Sequence, residues 1–267
     1  MPAPFPPAQK RLGQHFLIDH NIVRKIVAAA ALTREDAVVE IGPGRGILTD
    51  ALSRAAGRVV AIEIDPELYA MLQARTAEWR NVKLICADAL THPFETLPEG
   101  VVVANLPYYI STPLLFKCLA HRRRFSRLVL MLQNEVADRV IAHPGEREYG
   151  VLSVMTQYAA DVDKAFKVSA NCFRPRPEVG SAVIVLRPRP MGRLRPEEEA
   201  GFAAVVKAAF AHRRKTLVNS LRDEGYEAPV VTQSVGDLGL DPTIRAEMLT
   251  LDHFMQLAGR LARRNAS

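Results

Sequence analysis

Residues 38–52, VVEIGPGRGILTDAL, decide how the rest of the chain is read. An apolar run (Val38, Val39, Ile41) stops at Gly42. Glycines then recur at every second position, Gly42, Gly44 and Gly46, before a segment with helical apolar spacing begins at Ile47. Without a Cβ, a glycine lets the backbone turn sharply and come close to a ligand, so the stretch reads as strand, tight loop, helix. Further apolar runs follow at 59–65 (VVAIEID), 82–88 (VKLICAD), 101–105 (VVVAN) and 127–133 (RLVLMLQ). Their continuous apolarity suits strands covered on both faces, as in a parallel sheet, and the segments between them are long enough for crossover helices. DKAFKV (163–168) and SAVIVL (181–186) lie too close together for a crossover and suit an antiparallel pair at the end of the sheet. The expectation is an open α/β sheet of about seven strands.

Around that core the chain divides into three. MPAPFPPAQ (1–9) is proline-rich, lacks the apolar stretch of a secretory signal, and reads as a disordered lead. Residues 10–187 carry the sheet. In 188–267 the strand signals cease: Pro196 and Glu197–Glu199 form a good first helical turn, and Phe202, Val205, Val206, Ala209 and Phe210 follow at helical spacing. Asp241-Pro242 reads as the start of another helix, and Leu251, Phe254, Met255 and Ala258 share a face of the last. Within 10–187, Asp19 is placed to cap a helix with Ile22, Val23, Ile26, Val27 and Ala30 on one face.

The 267 residues carry a net charge of +6, a mildly basic balance that favours polyanionic partners. Residues 187–267 hold 13 basic and 10 acidic residues, leaving 22 and 19 before them, so no basic tail stands out. The charge is clustered at Arg122-Arg123-Arg124, at Arg174 and Arg176, and at Arg213-Arg214-Lys215. Cys86, Cys118 and Cys172 read as free thiols of a reducing, cytoplasmic compartment, and the seven histidines show no metal-ligand spacing.

In open α/β sheets ligands bind outside the carboxyl ends of the strands. Glu63 ends the second strand, where a ribose diol needs an acceptor; Asp88 ends the third, where an adenine amine needs one. G-x-G-x-G with Glu40 two positions earlier resembles the opening of Rossmann-like S-adenosylmethionine-dependent methyltransferases more than a dinucleotide-binding G-x-G-x-x-G. At the end of the fourth strand stands Asn105-Leu106-Pro107-Tyr108. An amine attached to an aromatic ring is a poor nucleophile because its lone pair is delocalised. The Asn105 side-chain oxygen and the Leu106 carbonyl, fixed by Pro107, can each accept one amine hydrogen and return density to nitrogen. Tyr108 offers a ring for a base to stack on.

KRLGQHFLID (10–19), VVEIGPGRGILTDAL, AIEID (61–65), ADAL (87–90), NLPYYIST (105–112), MLQNEVADR (131–139), FRPRPEVGSAV (173–183) and AFAHRRKTLVNSL (209–221) resemble, in this order, the ribosomal RNA adenine dimethyltransferases, and most closely their bacterial small-subunit branch. The resemblance implies a Rossmann-like class I methyltransferase domain with a small all-α C-terminal domain. It also implies methylation of two adjacent adenosines in a hairpin near the 3′ end of small-subunit rRNA, late in subunit assembly. It carries cofactor contacts onto His15, Leu17, Gly42, Gly44, Glu63, Asp88 and Asn105; His15 stands where several members have Asn. Catalytic roles fall on Asn105, Leu106, Pro107 and Tyr108. Phe173 corresponds to a second aromatic that packs opposite Tyr108 around the base; a core phenylalanine is the other reading of that residue.

Arg122, Arg123, Arg124, Arg174, Arg176, Arg213, Arg214 and Lys215 are the candidates for RNA backbone contacts, with a tie between the two domains as the second reading of Arg213 and Arg214. The expected cofactor is S-adenosylmethionine, with no metal, and the expected partner is the small ribosomal subunit, bound by a monomer. The competing readings are a large-subunit methylase of the resistance type, an rRNA-binding assembly factor with secondary methylation, and a nicotinamide-dependent dehydrogenase, for which no hydride-transfer partner is found.

Overall fold

The computed structural model describes residues 6–9, 12–75 and 79–264, and so leaves residues 1–5 of the proposed disordered lead undescribed. Gln9, the last residue of that lead, is hydrogen-bonded: its backbone N–H donates to Gln14 Oε1 at 2.8 Å and its Nε2 to Asp65 Oδ2 at 3.0 Å.

The elements run β1 (Phe16–Leu17), α1 (His20–Ala30), β2 (Ala37–Ile41), α2 (Ile47–Ala55), β3 (Arg58–Glu63), α3 (Pro66–Ala74), β4 (Val82–Cys86), β5 (Gly100–Asn105), α4 (Ser111–Ala120), β6 (Phe125–Gln133), α5 (Asn134–Ile141), α6 (Val151–Ala159), β7 (Ala160–Val168), β8 (Phe173–Arg174), β9 (Ser181–Pro188), α7 (Pro196–Phe210), α8 (Leu217–Asp223), α9 (Ala228–Asp237) and α10 (Leu251–Arg264). Seven strands form one sheet in the order β4-β3-β2-β5-β6-β9-β7. The first five are mutually parallel, while β9 runs antiparallel between β6 and β7. The parallel centre and the antiparallel end thus fall where the apolar runs place them. Asp19 caps α1 as its spacing suggests, accepting from Asn21 and Ile22 N–H.

The short β1–β8 ladder had no sequence signal. It pairs Phe16 with Arg174 and Leu17 with Phe173, fastening the opening motif to FRPRP.

The structure separates into two compact units, 1–137 with 160–190, and 138–159 with 191–267. A single cut at residue 187 differs from this division by assigning 138–159 to the sheet. Within the helical unit the Tyr158 ring lies 4.7 Å from that of Phe202, its hydroxyl donates to Glu199 at 2.9 Å, and the Tyr149 hydroxyl donates to the Leu249 carbonyl at 2.9 Å. Phe202, Val205, Val206 and Ala209 of α7 are buried together with Phe254, Leu257 and Leu261 of α10. Asp241-Pro242 opens no helix. The Asp241 carboxylate accepts from the N–H and hydroxyl of Thr243 and closes an Asx turn, and only a short 3₁₀ turn, Ala246–Met248, follows.

Candidate active site

The carboxyl ends of β2, β3 and β5 open into a cleft of about 970 Å³, counting its mouth, whose lining runs from Gly13–Leu17 through Gly42–Arg45, Glu63 and Asp88 to Asn105–Ile110. Seven of the expected cofactor and catalytic positions in the sheet loops (Gly42, Gly44, Glu63, Asp88, Asn105, Pro107, Tyr108), together with His15, Leu17 and Leu106, share this one cavity.

The glycine loop is needed as it stands. Gly44 sits at φ +56°, and a Cβ there would lie 3.1 Å from the Phe16 ring; Gly46, at φ +79°, would collide with Leu72 and Trp79 at 2.8 Å. No other residue adopts this conformation cheaply in such closely packed surroundings. Glu63 is 4% exposed, with Oε1 accepting from Asp65 N–H and Oε2 from Gly44 N–H, both at 3.0 Å. Burial raises its carboxyl above the usual range, and these two donors pull it part of the way back. Asp65 in turn caps α3 and accepts from Gln9 and Gln14, so it holds the opening motif against the β3 end. Asp88 uses Oδ1 to accept from Leu90 N–H at 2.8 Å.

Asn105 donates from Nδ2 to the His15 carbonyl at 3.3 Å. Its Oδ1 and the Leu106 carbonyl accept no hydrogen bond among the described residues. Both residues line the cleft at the end of a buried strand, with Leu106 itself only 2% exposed. The Tyr108 hydroxyl shares a 3.0 Å hydrogen bond with the buried Ser181 Oγ, which fixes the ring, and burial raises its phenol above the ordinary value.

No ring contact joins Phe173 to Tyr108 among the described residues. Phe173 is 1% exposed, lines no part of the cleft, and belongs to the core cluster of Leu17, Ile22, Met131 and Val183. Bringing it to a base would forfeit about 1.5–3 kcal/mol of burial. The ring stacked on Tyr108 is His15, with centroids 5.5 Å apart and planes at 28°.

The arginine clusters separate. Arg174, the last residue of β8, and Arg176, on the loop that follows it, are both exposed, and the Pro175 carbonyl between them touches His15. Arg122–Arg124 precede β6, and the Arg124 carbonyl accepts from Gly100 N–H at the start of β5. That is the opposite end of the strand from Asn105, about 16–17 Å away. There Arg124 binds the Leu97 carbonyl at 2.7 Å and Glu99 at 3.4 Å, so this cluster does not border the cleft. In the helical unit Arg213 donates to the Arg147 carbonyl at 2.7 Å, and Lys215 is paired with Asp223.

Lys117 carried no functional reading in the sequence. Its Nζ donates to the carbonyls of Ala89 (2.9 Å), Leu90 (2.8 Å) and His92 (2.6 Å) and lies 4.4 Å from the Phe94 ring centre, bracing the turn that holds Asp88. A lysine among Leu114, Leu115, Cys118 and Leu119 on an apolar helix was the one signal that could have found it.

Comparison with known proteins identifies the family. The sequence profile of the family described as "Ribosomal RNA adenine dimethylase" matches residues 7–262. The chain is 44% identical over 265 residues to "Ribosomal RNA small subunit methyltransferase A" of Moorella thermoacetica, covering 95% of this chain and 92% of that protein. It is 46% identical over 253 residues to the protein of the same name from Syntrophotalea carbinolica, covering 94% and 95%. Among solved structures it resembles a dimethyladenosine transferase from Plasmodium falciparum, with TM-score 0.84, 27% identity and coverage of 94% and 98%. It also resembles the 23S rRNA methyltransferase ErmE, with TM-score 0.72, 27% identity and coverage of 92% and 99%. The chain belongs to the ribosomal RNA adenine dimethylase family.

Proposed function

We propose that this protein uses S-adenosylmethionine to dimethylate the exocyclic amines of two adjacent adenosines in the 3′-terminal hairpin of small-subunit rRNA. It acts as a cytoplasmic monomer during late subunit assembly. One observation carries the reading: Asn105 and Leu106, whose Oδ1 and carbonyl accept no hydrogen bond among the described residues, line the same cleft as the glycine loop, Glu63 and Asp88.

The cleft's chemistry fits the cofactor. Glu63 provides acceptors for a ribose diol, Asp88 retains an oxygen for an adenine amine, and the loop at Gly42 and Gly44 permits close backbone approach. His15 and Leu17 close the cleft from the opening motif. S-adenosylmethionine, when bound, supplies a methyl group activated by a positively charged sulfur. The protein's part is to prepare and aim the amine. Asn105 and Leu106 accept its two hydrogens and draw it toward pyramidal geometry. Pro107 holds the turn, and Tyr108, pinned by Ser181, stacks the base. The methylated ammonium is acidic and sheds its proton without a dedicated base, so positioning carries the rate. Arg174 and Arg176 beside the cleft, with Arg213 and Arg214 of the helical unit, contact RNA phosphates, which orient the substrate without reading its sequence.

Labelled-methyl transfer to small subunits from cells lacking the modification tests this, with modified small subunits, large subunits and naked rRNA as controls. Two methyls on each of two adenosines, in unmodified small subunits alone, is the expected outcome. Transfer to large subunits would reassign the enzyme to the resistance-type branch. Tight binding without transfer would leave an assembly factor.

A further inference from the structure

Tyr109 is the only exposed aromatic side chain among the described residues, at 52%, and it lines the cleft. A single exposed ring elsewhere on a surface would call for no explanation. This one follows directly on Tyr108, and its setting is built. Tyr108–Ile110 form a 3₁₀ turn in which the Ile110 N–H donates to the Pro107 carbonyl at 3.1 Å, and the Ser111 hydroxyl donates to the Tyr108 carbonyl at 3.0 Å. The opening motif closes on the ring from the other side. Gly13 sits at φ +54°, and a Cβ there would lie 3.3 Å from Tyr109 Cδ1 and 3.7 Å from Cε1. A glycine, free to take this φ and lacking a Cβ, lets that segment lie along one edge of the ring. The fold thus holds an aromatic ring partly in water at the cleft, next to the ring that takes the target base in the mechanism above.

Taking a base out of its stack costs a few kcal/mol, and it uncovers a face of each neighbouring base. Proteins that bind unstacked RNA bases offset that cost by offering aromatic faces in exchange. We propose that Tyr109 is a platform for the nucleotide beside the target: while Tyr108 stacks the adenine being methylated, Tyr109 stacks the base next to it. This rests on the methyltransferase reading above. Stacking on a ring accepts any base, so the contact positions the substrate without reading its sequence. Because the turn and Gly13 fix the ring on one side of Tyr108, it takes the neighbour on one flank only. Of two adjacent adenosines, one therefore has the other adenosine on the platform when it is the target, and the second has an outer nucleotide there.

The test compares Tyr109→Ala, Tyr109→Phe and Tyr109→Trp with the unaltered protein. It reads kcat and KM on unmodified small subunits and S-adenosylmethionine affinity by calorimetry. The kinetics are repeated on subunits whose rRNA carries uridine, a weaker stacker, in place of one or the other of the two adenosines. Loss of one stacking partner should lower kcat/KM roughly 5- to 100-fold in Tyr109→Ala, through KM for the subunit. Tyr109→Phe and Tyr109→Trp, which keep a ring, should retain it, and cofactor affinity should hold in all three. With uridine at one of the two positions the loss in Tyr109→Ala should shrink, and with uridine at the other it should persist. A Tyr109→Ala protein with normal kcat/KM would overturn the proposal. So would a loss of cofactor affinity equal to the loss of kcat/KM, which would make the ring a cover for the cofactor. The same loss on all three substrates would overturn it too, because the neighbouring base would then not be the partner. An unaltered protein that transfers no methyl group to unmodified subunits would refute the underlying reading and this inference with it, and is recognised before any variant is compared.

Discussion

In the proposed mechanism Asn105 acts through an atom it leaves unpaired: its amide nitrogen is spent on the His15 carbonyl, and its Oδ1 accepts no hydrogen bond among the described residues. Tyr108 divides its side chain in a similar way, with the hydroxyl on Ser181 and the ring for stacking. Tyr108→Phe, which keeps the ring, should retain most of kcat/KM. Tyr108→Ala should lose roughly 5- to 100-fold through KM for the RNA substrate, as steady-state kinetics on unmodified subunits would read. Glu40, beneath the glycine loop, is 1% exposed with both carboxylate oxygens unpartnered. Burial pushes its pKa from 4.5 up to about 8; the nearby Thr49 hydroxyl pulls it part of the way back, and the charge of Glu63 adds to the rise. The folded chain then holds a proton that the unfolded chain has released across that interval. Stability from this group is greatest below the unfolded value, falls as pH climbs from 4.5 to about 8, and levels beyond it. Glu40→Gln removes the slope, so its melting temperature should gain on the unaltered protein across that window. Melting curves that stay parallel at every pH would contradict a neutral Glu40.

Among the elements, α4 does more than cover the sheet, because Lys117 grips three carbonyls of the turn after Asp88. Hydrogen bonds to a charged donor contribute about 1.5–3 kcal/mol, so Lys117→Met should weaken S-adenosylmethionine affinity roughly tenfold. Calorimetry would read the affinity, and kcat at saturating cofactor should hold. Such a contact is invisible in a linear reading, since 25 to 28 residues separate its partners. The parallel strands were legible because burial on both faces leaves continuous apolar runs. Asn105, Glu63 and Asp88 were legible because each closes one of those runs. The two-residue β1–β8 pair has too few residues to show a period. Asp241-Pro242 has the chemistry of a helix start, but the Asp241 carboxylate turns back on Thr243 instead. Phe173 was open to two readings because a ring that packs in a core and a ring that stacks on a base look alike in sequence.

Across the whole molecule, charge clusters that look equivalent in sequence have unequal surroundings. Arg174 and Arg176 are exposed on either side of Pro175, which meets the cleft residue His15; Arg123 lies just before β6, at the opposite end of the strands, with its Nε donating to the Pro190 carbonyl at 3.3 Å; and Lys215 is neutralised by Asp223. Reversing Arg174 and Arg176 together should reduce the slope of log affinity against log salt for subunit binding by about two. Arg123→Glu should leave that slope unchanged. Equal effects from both would mean that the RNA footprint reaches around the sheet. The division of the chain followed the same logic of distance: 138–159 joins the helical unit through Tyr149 and Tyr158, whose partners stand 100 and 41 residues away.

The central claim is that Asn105 prepares an aromatic amine for methyl transfer. A single-turnover experiment with Asn105→Ala on unmodified small subunits, at cofactor concentrations set from its measured affinity, tests it most directly. The account expects the methyl-transfer step to slow by at least about a hundredfold, the scale of losing a positioned acceptor in the transition state, with cofactor affinity only modestly reduced. A single-turnover rate close to that of the unaltered protein would contradict it.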